Sequence, residues 1–497
     1  MTSRTDFSRV RFGLMLLLLN ALLAGPAAMA AGRLDPLFGI GGRQVIAFDE
    51  APNFGDRGHA IVAQADERLV LVGSVQTENN RLSLGATRLL PNGQVDTSFG
   101  SFQGRLVLRD AAGQYLVPLA AAVQADNRIV VSGARYPVQP VGIDGGPEGI
   151  PASIEWFVLR LQANGSGLDS SFGSGGIVLL DFGRNQEYGT AVAIQSDGRI
   201  LVAGQLDSVL INPRMALTRL LASGALDTSF AGGDGLYDDS FSAAYDRSTA
   251  SRVLLQSDGR ILLGGTARKI ASPFDEDMAL VRLLANGAVD SSFGNLSAGR
   301  SIVDFSIAGL PRDDRIHALA YRPPLISDTS RRIVIGGQVE PGAGPQLAGL
   351  AVLTYGGQLD PGFSGDGKLE FSSGFDNSQS GVYTISLERI DPTLLETSDR
   401  ITFGGILPNV VAPACFLGRI TYSGALDIGF NGGGLLSIRT SPASVKDECR
   451  DGVRRGERYF LVGTNAINMT MTGDDFVAFA VLTGSFLFRD GFEAGAN

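Results

Sequence analysis

The stretch that decides the fold is Gln195-Ser-Asp-Gly-Arg-Ile-Leu-Val-Ala-Gly204, which is followed by Leu220-Leu-Ala-Ser-Gly-Ala-Leu-Asp-Thr-Ser-Phe230. It carries two signatures. One is an Arg, then four residues that are mostly β-branched or Leu, then a Gly; the other is a Leu/Val-Asp-x-x-Phe run. Both recur seven times along the chain with roughly 65 residues between copies, which is typical of a repeat architecture.

Three residue types are the same in every copy of the two signatures. The Arg positions are Arg68, Arg128, Arg199, Arg260, Arg332, Arg400 and Arg458. The Asp positions are Asp35, Asp96, Asp169, Asp227, Asp290, Asp360 and Asp427. The Phe positions are Phe38, Phe99, Phe172, Phe230, Phe293, Phe363 and Phe430. We expect these residues to hold the repeats together.

Four strand-like runs lie between these landmarks, and we name them A to D. In the third copy, strand A is Ile177–Leu180, strand B is Ala191–Gln195 and strand C is Arg199–Gly204. Strand D is a run such as Ala279–Leu284. The Asp-Gly turn between strands B and C is typical of a β-hairpin. One unit is therefore four short antiparallel strands.

Seven such units predict an all-β fold, a seven-bladed β-propeller with four antiparallel strands per blade. A four-stranded sheet cannot bury both of its faces alone, so the units must stack on each other. An extended β-solenoid is the alternative, but its rungs are usually shorter, and seven units suit a closed ring. Helical patterning is absent outside the N-terminal segment.

The N-terminus has the three parts of a secretory signal peptide. Basic residues precede the apolar run Leu14–Leu23, and Ala28-Met-Ala30 is a small-x-small cleavage pattern. This run is too short for a membrane anchor, which needs about 20 residues. We expect residues 1–30 to be removed, residues 31–484 to form the propeller and residues 485–497 to be a short tail. The product is then secreted, periplasmic or on the cell surface, with no membrane span.

Composition excludes several classes of protein. Of 497 residues, 66 are Gly and 44% are hydrophobic, which suits turns and a large core rather than disorder. With only 2 Cys, 2 His and 1 Trp, a zinc site of His and Cys ligands is disfavoured. The net charge of -10 disfavours nucleic acid and anionic membrane surfaces as partners. Only three basic residues are Lys, which is typical of a GC-rich bacterial source.

The stretch quoted above resembles the delta-60 repeat of bacterial proteins. The resemblance rests on the Arg after the Asp-Gly turn and on the Leu-Asp-x-x-Phe run, and it covers residues 34–484. It implies a β-propeller in a secreted or surface protein, and it implies no activity. The segment Phe488–Glu493 is similar to a short C-terminal tail of some secreted gammaproteobacterial proteins.

Antiparallel pairing of strands C and D brings the start of strand C to the end of strand D. This predicts an Arg–Asp pair in each blade, as in Arg68–Asp96, Arg199–Asp227 and Arg260–Asp290. Paired charges favour a structural role over a ring of seven cations that binds an anion. We expect the Phe to pack between blades and the Gly of strand C to allow a bend or close packing. A second Arg of strand D is expected to support this structure: Arg88, Arg160, Arg219, Arg282 and Arg419.

Strand polarity sorts the connections onto two faces. The B–C turns and D–A connections share one face, the turn face, and the A–B and C–D loops share the other, the loop face. The loops of the loop face are long and differ between units, and variable loops on a rigid scaffold are usual binding sites. We expect an unknown extracellular ligand, a glycan or a protein, to bind there. On the turn face, units five and six carry insertions at 322–331 and 388–399.

No catalytic, cofactor-binding or metal-binding residue is assigned. His59 and His317 start strand B in one repeat column, where other units have Leu119, Thr190, Ser251, Val382 and Cys449. We interpret both as polar strand-start residues, well apart and without a shared metal. A nucleophile elbow, a two-His metal motif and a phosphate loop with Lys are absent from the sequence. Calcium is left open by Asp238, Asp239, Asp246, Asp275 and Asp277, although no copy has the Asp spacing of a calcium loop.

The two cysteines begin strands in neighbouring units, Cys415 in strand D of unit six and Cys449 in strand B of unit seven. An exported chain tolerates a disulfide, and a bridge needs Cα atoms closer than about 7 Å. Because strand D is expected to be outermost and strand B nearer the middle, the sequence leaves this disulfide open.

Three functions remain open. The favoured one is a monomeric, non-enzymatic binding or surface-display module without a cofactor. The first alternative is an extracellular enzyme acting on carbohydrate or another polymer, and the second is a purely structural envelope protein. An enzyme is expected to show inward-facing carboxylates with perturbed pKa values at one mouth of the propeller, and a binding module none.

Overall fold

The computed structural model describes residues 31–484 except 49, 51–54, 79–80, 138–152, 208–211, 272–274, 307–310, 323–330, 342–345, 372–379, 389–398, 408–412 and 467–473. The expected signal peptide (1–30) and tail (485–497) lie outside the described residues. In the described part of the chain, every regular secondary-structure element is a β-strand. The same part contains no helix that could cross a membrane.

The chain begins with two short strands and then forms seven sheets in order. The first two strands are β1 (Arg33–Leu34) and β2 (Arg43–Ile46). Blades 1 to 3 consist of β3 (Asp56–Ala63), β4 (Leu69–Thr77), β5 (Arg81–Leu89) and β6 (Arg105–Leu108); β7 (Tyr115–Val123), β8 (Ile129–Tyr136), β9 (Glu155–Leu161) and β10 (Ile177–Leu180); and β11 (Glu187–Ile194), β12 (Ile200–Leu206), β13 (Arg214–Leu220) and β14 (Leu236–Asp239).

The remaining blades follow the same plan. Blades 4 to 6 consist of β15 (Tyr245–Leu255), β16 (Ile261–Lys269), β17 (Glu276–Leu283) and β18 (Arg300–Val303); β19 (Arg312–Arg322), β20 (Arg332–Pro341), β21 (Leu347–Thr354) and β22 (Lys368–Phe371); and β23 (Gly381–Glu388), β24 (Arg400–Leu407), β25 (Ala414–Thr421) and β26 (Leu435–Ile438). Blade 7 contains β27 (Lys446–Arg455), β28 (Arg458–Ala466) and β29 (Asp475–Leu482).

The N-terminal strands close the ring. Every pairing in the sheets is antiparallel, and the first strands of successive blades contact each other around the axis. Blade 7 obtains its outer strand from the start of the chain, because β2 pairs with β29 from Arg43↔Phe479 to Ile46↔Phe476. Strand β1 pairs farther along β29, at Arg33↔Leu482. The predicted seven-bladed, four-stranded propeller is thus confirmed.

The repeat unit and the blade are out of phase by one strand. Strand A of each unit is the outer strand of the preceding blade, so a blade has the order B-C-D-A from the axis outwards. The expectation that strand D is outermost is therefore wrong. The reason is that the short D–A connection folds strand A back onto strand D of the same sheet, whereas the A–B loop crosses to the next blade.

Each inner strand carries a β-bulge at the same point. In blade 1, Gly58 pairs with Gly73 and Ala60 pairs with Val72, so His59 is the extra residue. The extra residues of the other blades are Leu119, Thr190, Ser251, His317, Tyr383 and Arg450. We call these seven residues the axial ring.

The repeated Gly of strand C is explained by the bulge. A Cβ atom on Gly265 would lie 1.8 Å from the carbonyl oxygen of Thr249 in the neighbouring inner strand, so only Gly fits. Strand β16 continues past this residue to Lys269. The Gly therefore lies inside the strand rather than at its end, and it allows the close packing of the bulged backbone that the sequence predicts.

Candidate functional site

The repeated Arg and Asp of each blade form a salt bridge. The distances from Arg Nε to Asp Oδ2 are 3.3 Å for Arg68–Asp96, 3.2 Å for Arg128–Asp169, 3.2 Å for Arg199–Asp227, 2.8 Å for Arg260–Asp290 and 3.0 Å for Arg400–Asp427, and Arg332 also pairs with Asp360. In blade 7, Arg458 pairs with Asp35 at 2.8 Å. The start of the chain thus completes the last charge pair as well as the last sheet.

The second Arg, on strand D, is the more buried partner. The Arg219 side chain is 8% exposed and its Nε lies 2.8 Å from Asp227 Oδ2, whereas the Arg199 side chain is 40% exposed. The Arg219 guanidinium also lies over the Phe230 ring, 4.5 Å from its centroid, as a cation–π contact. The hydroxyl and backbone N–H of Ser229 donate to Asp227 Oδ1. The Ser229 hydroxyl above all, with Arg219 and against burial, holds the pKa of Asp227 below its ordinary value.

A strand-D Arg also pairs with the corresponding Asp of four other blades, and in blade 6 the backbone N–H of Gly429 replaces the Ser as donor to that Asp. The matching strand-D pairs are Arg88–Asp96, Arg160–Asp169, Arg282–Asp290 and Arg419–Asp427. Blade 5 has Val352 in this column, and there the Tyr422 hydroxyl donates to Asp360. The sequence predicts only a supporting role for the strand-D Arg, because the repeat spacing does not show which of the two arginines near each Asp is buried.

The repeated Phe joins each blade to the next. Phe230 is fully buried in a cluster that contains residues of blades 3 and 4. Its ring covers Gly287 in the turn after strand D of blade 4, where a Cβ atom would lie 2.8 Å from the ring. The Phe is therefore an anchor between blades, and the turn Gly leaves room for it.

Cys415 and Cys449 form a disulfide with Cα atoms 5.2 Å apart. Cys415 lies on β25 of blade 6 and Cys449 on β27 of blade 7, and both are fully buried. Because strand D is the third strand rather than the outermost, the two residues are closer than the sequence led us to expect. The bridge joins the last two blades.

The β-bulges correct the alignment of the repeat position that contains the two histidines. His59 and His317 do share a repeat position, but the matching residues of units six and seven are Tyr383 and Arg450, not Val382 and Cys449. Val382 pairs with Gly405 and Cys449 with Gly463 in the regular ladder, and the bulge follows each of them. A bulge adds one residue to the strand without changing the residues beside it. An alignment of strand B between units therefore does not show where the bulge lies.

Hydrogen bonds link neighbouring inner strands at the level of the axial ring. Thr190 Oγ1 donates to Ala250 O of the next blade at 2.7 Å, and Ser251 Oγ donates to Ile316 O at 2.5 Å. Two further links are Thr384 Oγ1 to Gly452 O at 3.0 Å and Ile61 N to Asp451 Oδ2 at 3.0 Å. Part of the ring therefore stabilises the scaffold by satisfying backbone groups that the bulges leave unpaired.

A group of polar side chains meets at this level, and we call Arg252, His317, Tyr383, Arg450 and Asp451 the axial cluster. Arg252 of blade 4 donates to Tyr383 O of blade 6 at 3.3 Å and to Ser251 O at 2.9 Å. The His317 ring stacks on the Tyr383 ring, with centroids 4.6 Å apart and planes 8° from parallel. Four blades thus bring charged and aromatic groups together at the axis.

Both histidines are neutral at pH 7. Burial, with the charges of Arg450 and Arg57, lowers the pKa of His59 to about 3. Burial, with the charges of Arg252, Arg315 and Arg450, lowers the pKa of His317 to about 3. The charge of Arg450 thus lowers the pKa of both histidines.

The charges of the axial cluster are only partly matched. Arg450 pairs with Glu448 at 3.0 Å, and Arg315 pairs with Glu276 at 2.7 Å and with Glu340 at 3.1 Å. Burial raises the pKa of Asp451, and the charge of Arg252 partly offsets this.

The Asp-rich loops form ion pairs rather than an open acidic site. Among the described residues, the one group with metal-ligand geometry is Asp275, Asp277 and Asp304, whose oxygens lie within 4.8 Å of each other. Lys269 Nζ lies among them, at 3.1, 3.1 and 3.0 Å respectively. Burial, with the charge of Asp304, raises the pKa of Asp277 to about 7. Other pairs are Asp238–Arg214, Asp239–Arg300 and Asp246–Arg268.

Comparison with known proteins supports the propeller repeat. Residues 64–99, 195–230 and 256–293 match the family model described as "Domain of unknown function (DUF5122) beta-propeller". Each matched segment runs from the end of strand B to the repeated Phe and so contains both signatures. No curated protein matches the sequence.

Three solved structures have low similarity to this chain. A protein of unknown function from Dyadobacter fermentans DSM 18053 has a TM-score of 0.46 at 11% identity, covering 73% of this chain and 93% of that one. A Trypanosoma rangeli sialidase mutant displaying trans-sialidase activity has 0.44 at 10%, covering 91% of this chain and 60% of that one. A PL25 ulvan lyase has 0.46 at 8%, covering 91% and 94%. Similarity this weak carries no argument about function.

Proposed function

We propose that this chain is an exported, non-enzymatic binding module that takes an extracellular ligand, such as a glycan, through the loop face and the axial ring behind it. One observation carries the proposal. The Arg, Asp, Phe and Gly of the scaffold are the same in all seven blades, whereas the seven axial ring positions hold six residue types. A ring with only a structural role would need no such variety.

The polar groups of the ring lie toward the loop face. Strand β3 runs from Asp56 at the loop face to Ala63 at the turn face, and His59 is in its first half. Arg57, two residues nearer the mouth, and the corresponding Arg315 of blade 5 are half-buried there. A few polar groups held on a rigid scaffold suit a hydroxyl-bearing ligand.

A binding screen of the purified chain against glycans and envelope polymers tests the proposal. Two matched variants identify the face, Ala112→Cys in the A–B loop of blade 2 and Ala65→Cys in the B–C turn of blade 1, both at exposed positions. The native cysteines are joined, so a bulky polyethylene glycol maleimide labels only the new thiol. We expect labelling at Ala112 to weaken capture and labelling at Ala65 to leave it unchanged. The reverse result, or capture of no polymer, contradicts the proposal.

An enzyme acting on carbohydrate is a second candidate, favoured by the raised pKa of Asp451 beside Arg252 in the axial cluster. A glycosidase would need two carboxylates flanking the bond, and Glu448 is held by Lys446 and Arg450 at 2.9 and 3.0 Å. Incubation of captured polymers with the chain and with Asp451→Asn separates the two functions. Release of shorter products by the native chain alone supports the enzyme.

Export rests on the expected signal peptide, and N-terminal sequencing of the protein from its native source tests it. We expect the mature chain to begin at Ala31. This residue is already part of the ring closure, because Asn431 N donates to its carbonyl oxygen at 3.0 Å. A chain that retains residues 1–30 would contradict export by cleavage.

A further inference from the structure

Two polar groups of the axial cluster lack a partner that suits them. Arg252 is half-buried and donates only to two backbone carbonyls, and within the described part of the chain it has no carboxylate at salt-bridge distance. Burial lowers its pKa. The Nε2 atom of His317 is buried and has no hydrogen-bond partner among the described residues. An unmatched guanidinium and an orphaned ring nitrogen are costly unless a ligand satisfies them.

The surroundings of His317 show what its free nitrogen needs. The Gln338 side chain interacts with the imidazole, and Nε2 itself has no hydrogen-bond partner among the described residues. The amide nitrogen of Gln338 donates to Glu340 Oε2 at 3.2 Å, which leaves its oxygen for the ring. The imidazole is neutral, and whichever ring nitrogen carries the proton, Nε2 lacks a hydrogen-bond partner among the described residues; a hydroxyl group can supply one, because it both donates and accepts.

The charge of the cluster limits the ligand to one negative charge. Arg315 and Arg450 already pair with glutamates, so Arg252 is the cation that needs a counter-ion. Described residues use two of its five N–H groups, and with respect to this part of the chain three remain for a planar acceptor. Asp451 acts electrostatically on Arg252 from blade 7, and its charge disfavours a dianion such as phosphate or sulfate.

We propose that Arg252 and His317 form a binding site for a hydroxycarboxylate, in which the carboxylate binds the Arg252 guanidinium and a hydroxyl group forms a hydrogen bond with His317 Nε2. This inference rests on the proposed function, because it names the chemical group that the axial ring receives. A sugar acid carries both groups, either as a free uronate or at the end of an acidic polysaccharide.

Calorimetric titration of the full mature chain tests the inference. The probes are D-glucuronate, D-glucose without the carboxylate, acetate without the hydroxyls, and a glucuronate-terminated oligosaccharide. We expect glucuronate to bind at least about tenfold more tightly than glucose or acetate, since each lost charge-assisted contact costs about that factor. Tight binding of the oligosaccharide alone would assign the site to polymer ends. If neither uronate probe binds more tightly than glucose, the inference is wrong.

Two variants assign the contacts. Arg252→Gln is expected to lose at least about tenfold in glucuronate affinity, and the control Arg33→Gln, at an exposed position on the short strand β1, is expected to lose none. His317→Phe keeps a ring against Tyr383 but removes Nε2, so glucuronate binding should weaken while acetate binding stays the same. Unchanged glucuronate affinity in Arg252→Gln overturns the assignment.

A measurement on the native chain covers the case in which a variant fails to fold. Addition of glucuronate should shift the ¹⁵N resonance of His317 Nε2, and saturating glucuronate without any shift overturns the inference. Failure here is distinguishable from failure of the proposed function. If Ala112 labelling still blocks polymer capture while glucuronate does not bind, the binding module stands and only the axial site falls.

Discussion

The outer scaffold and the axial ring of this propeller follow opposite rules. In the scaffold every blade repeats the same Arg, Asp and Phe, and the charges are paired and the rings buried. At the axis the backbone repeats the same bulge, but the side chains differ from blade to blade. Repetition therefore marks the residues that close the ring, and divergence on a repeated backbone marks the residues available for binding.

The largest effect should separate the two arginines that share Asp227. Arg219→Gln removes a buried partner and leaves a buried carboxylate with one half-exposed cation, so we expect a loss of about 3–5 kcal/mol in the free energy of unfolding. Arg199→Gln removes a partly exposed partner and should cost only about 0–1 kcal/mol. Denaturant unfolding of both variants is the measurement. Equal losses would contradict the ranking of the two strands.

The anchor between blades should have an effect of similar size. Phe230→Ala leaves a cavity between blades 3 and 4 and should cost about 3–5 kcal/mol. The control is Phe102→Ala, since this ring is 68% exposed and should change stability by less than about 0.5 kcal/mol. Thermal unfolding reports both. A negligible change in the melting temperature of Phe230→Ala would show that the repeated Phe is not an anchor.

The bulge itself can be tested through the glycine opposite it. Gly265→Ala places a Cβ atom against a backbone carbonyl that cannot move freely, so we expect a loss of about 1–3 kcal/mol. Gly433→Ala is the control, because nothing lies within 4 Å of its Cβ position. Both substitutions should be compared by chemical denaturation. A Gly265→Ala chain as stable as the control would mean that the bulge is adaptable.

The last effect concerns pH and the axis. His317, surrounded by Arg252, Arg315, Arg450 and Gln338, is neutral in the folded state down to a pKa of about 3. The unfolded state takes up its proton near pH 6.5, so stability falls as the pH decreases from about 6.5 to about 3. We expect His317→Phe to lose less stability than the native chain between pH 7 and pH 4. Parallel unfolding curves for the two chains over that range would contradict this.

The sequence predicted the scaffold well and the axis poorly, for physical reasons. The period and the Asp-Gly turns are local signals, so the blade number and the Arg–Asp pairing follow from spacing alone. The phase between repeat and blade is not local, because strand A near Gln44 and its partner near Phe479 lie at opposite ends of the chain. The bulge adds one residue without changing its neighbours, which misplaced the column at Val382 and Cys449.

The axial cluster lay beyond reach for a related reason. Arg252, His317 and Asp451 come from three blades, and nothing in one repeat indicates which residue of another repeat faces it. The sequence predicts only ordinary strand-start residues for the histidines, because neither residue stands out within its own strand. Only the ring geometry brings the orphaned nitrogen and the unmatched guanidinium to the same level.

The central claim is that the outer ring provides stability and the axis provides binding. The most direct test is to measure the unfolding midpoint and the glucuronate affinity of Arg252→Gln and Arg219→Gln side by side. Arg252→Gln should keep its midpoint, because removal of an unmatched buried charge costs little, and should lose at least about tenfold in affinity. Arg219→Gln should lose stability and, while folded, keep its affinity. An Arg252→Gln chain that binds glucuronate as tightly as the native chain would contradict the claim.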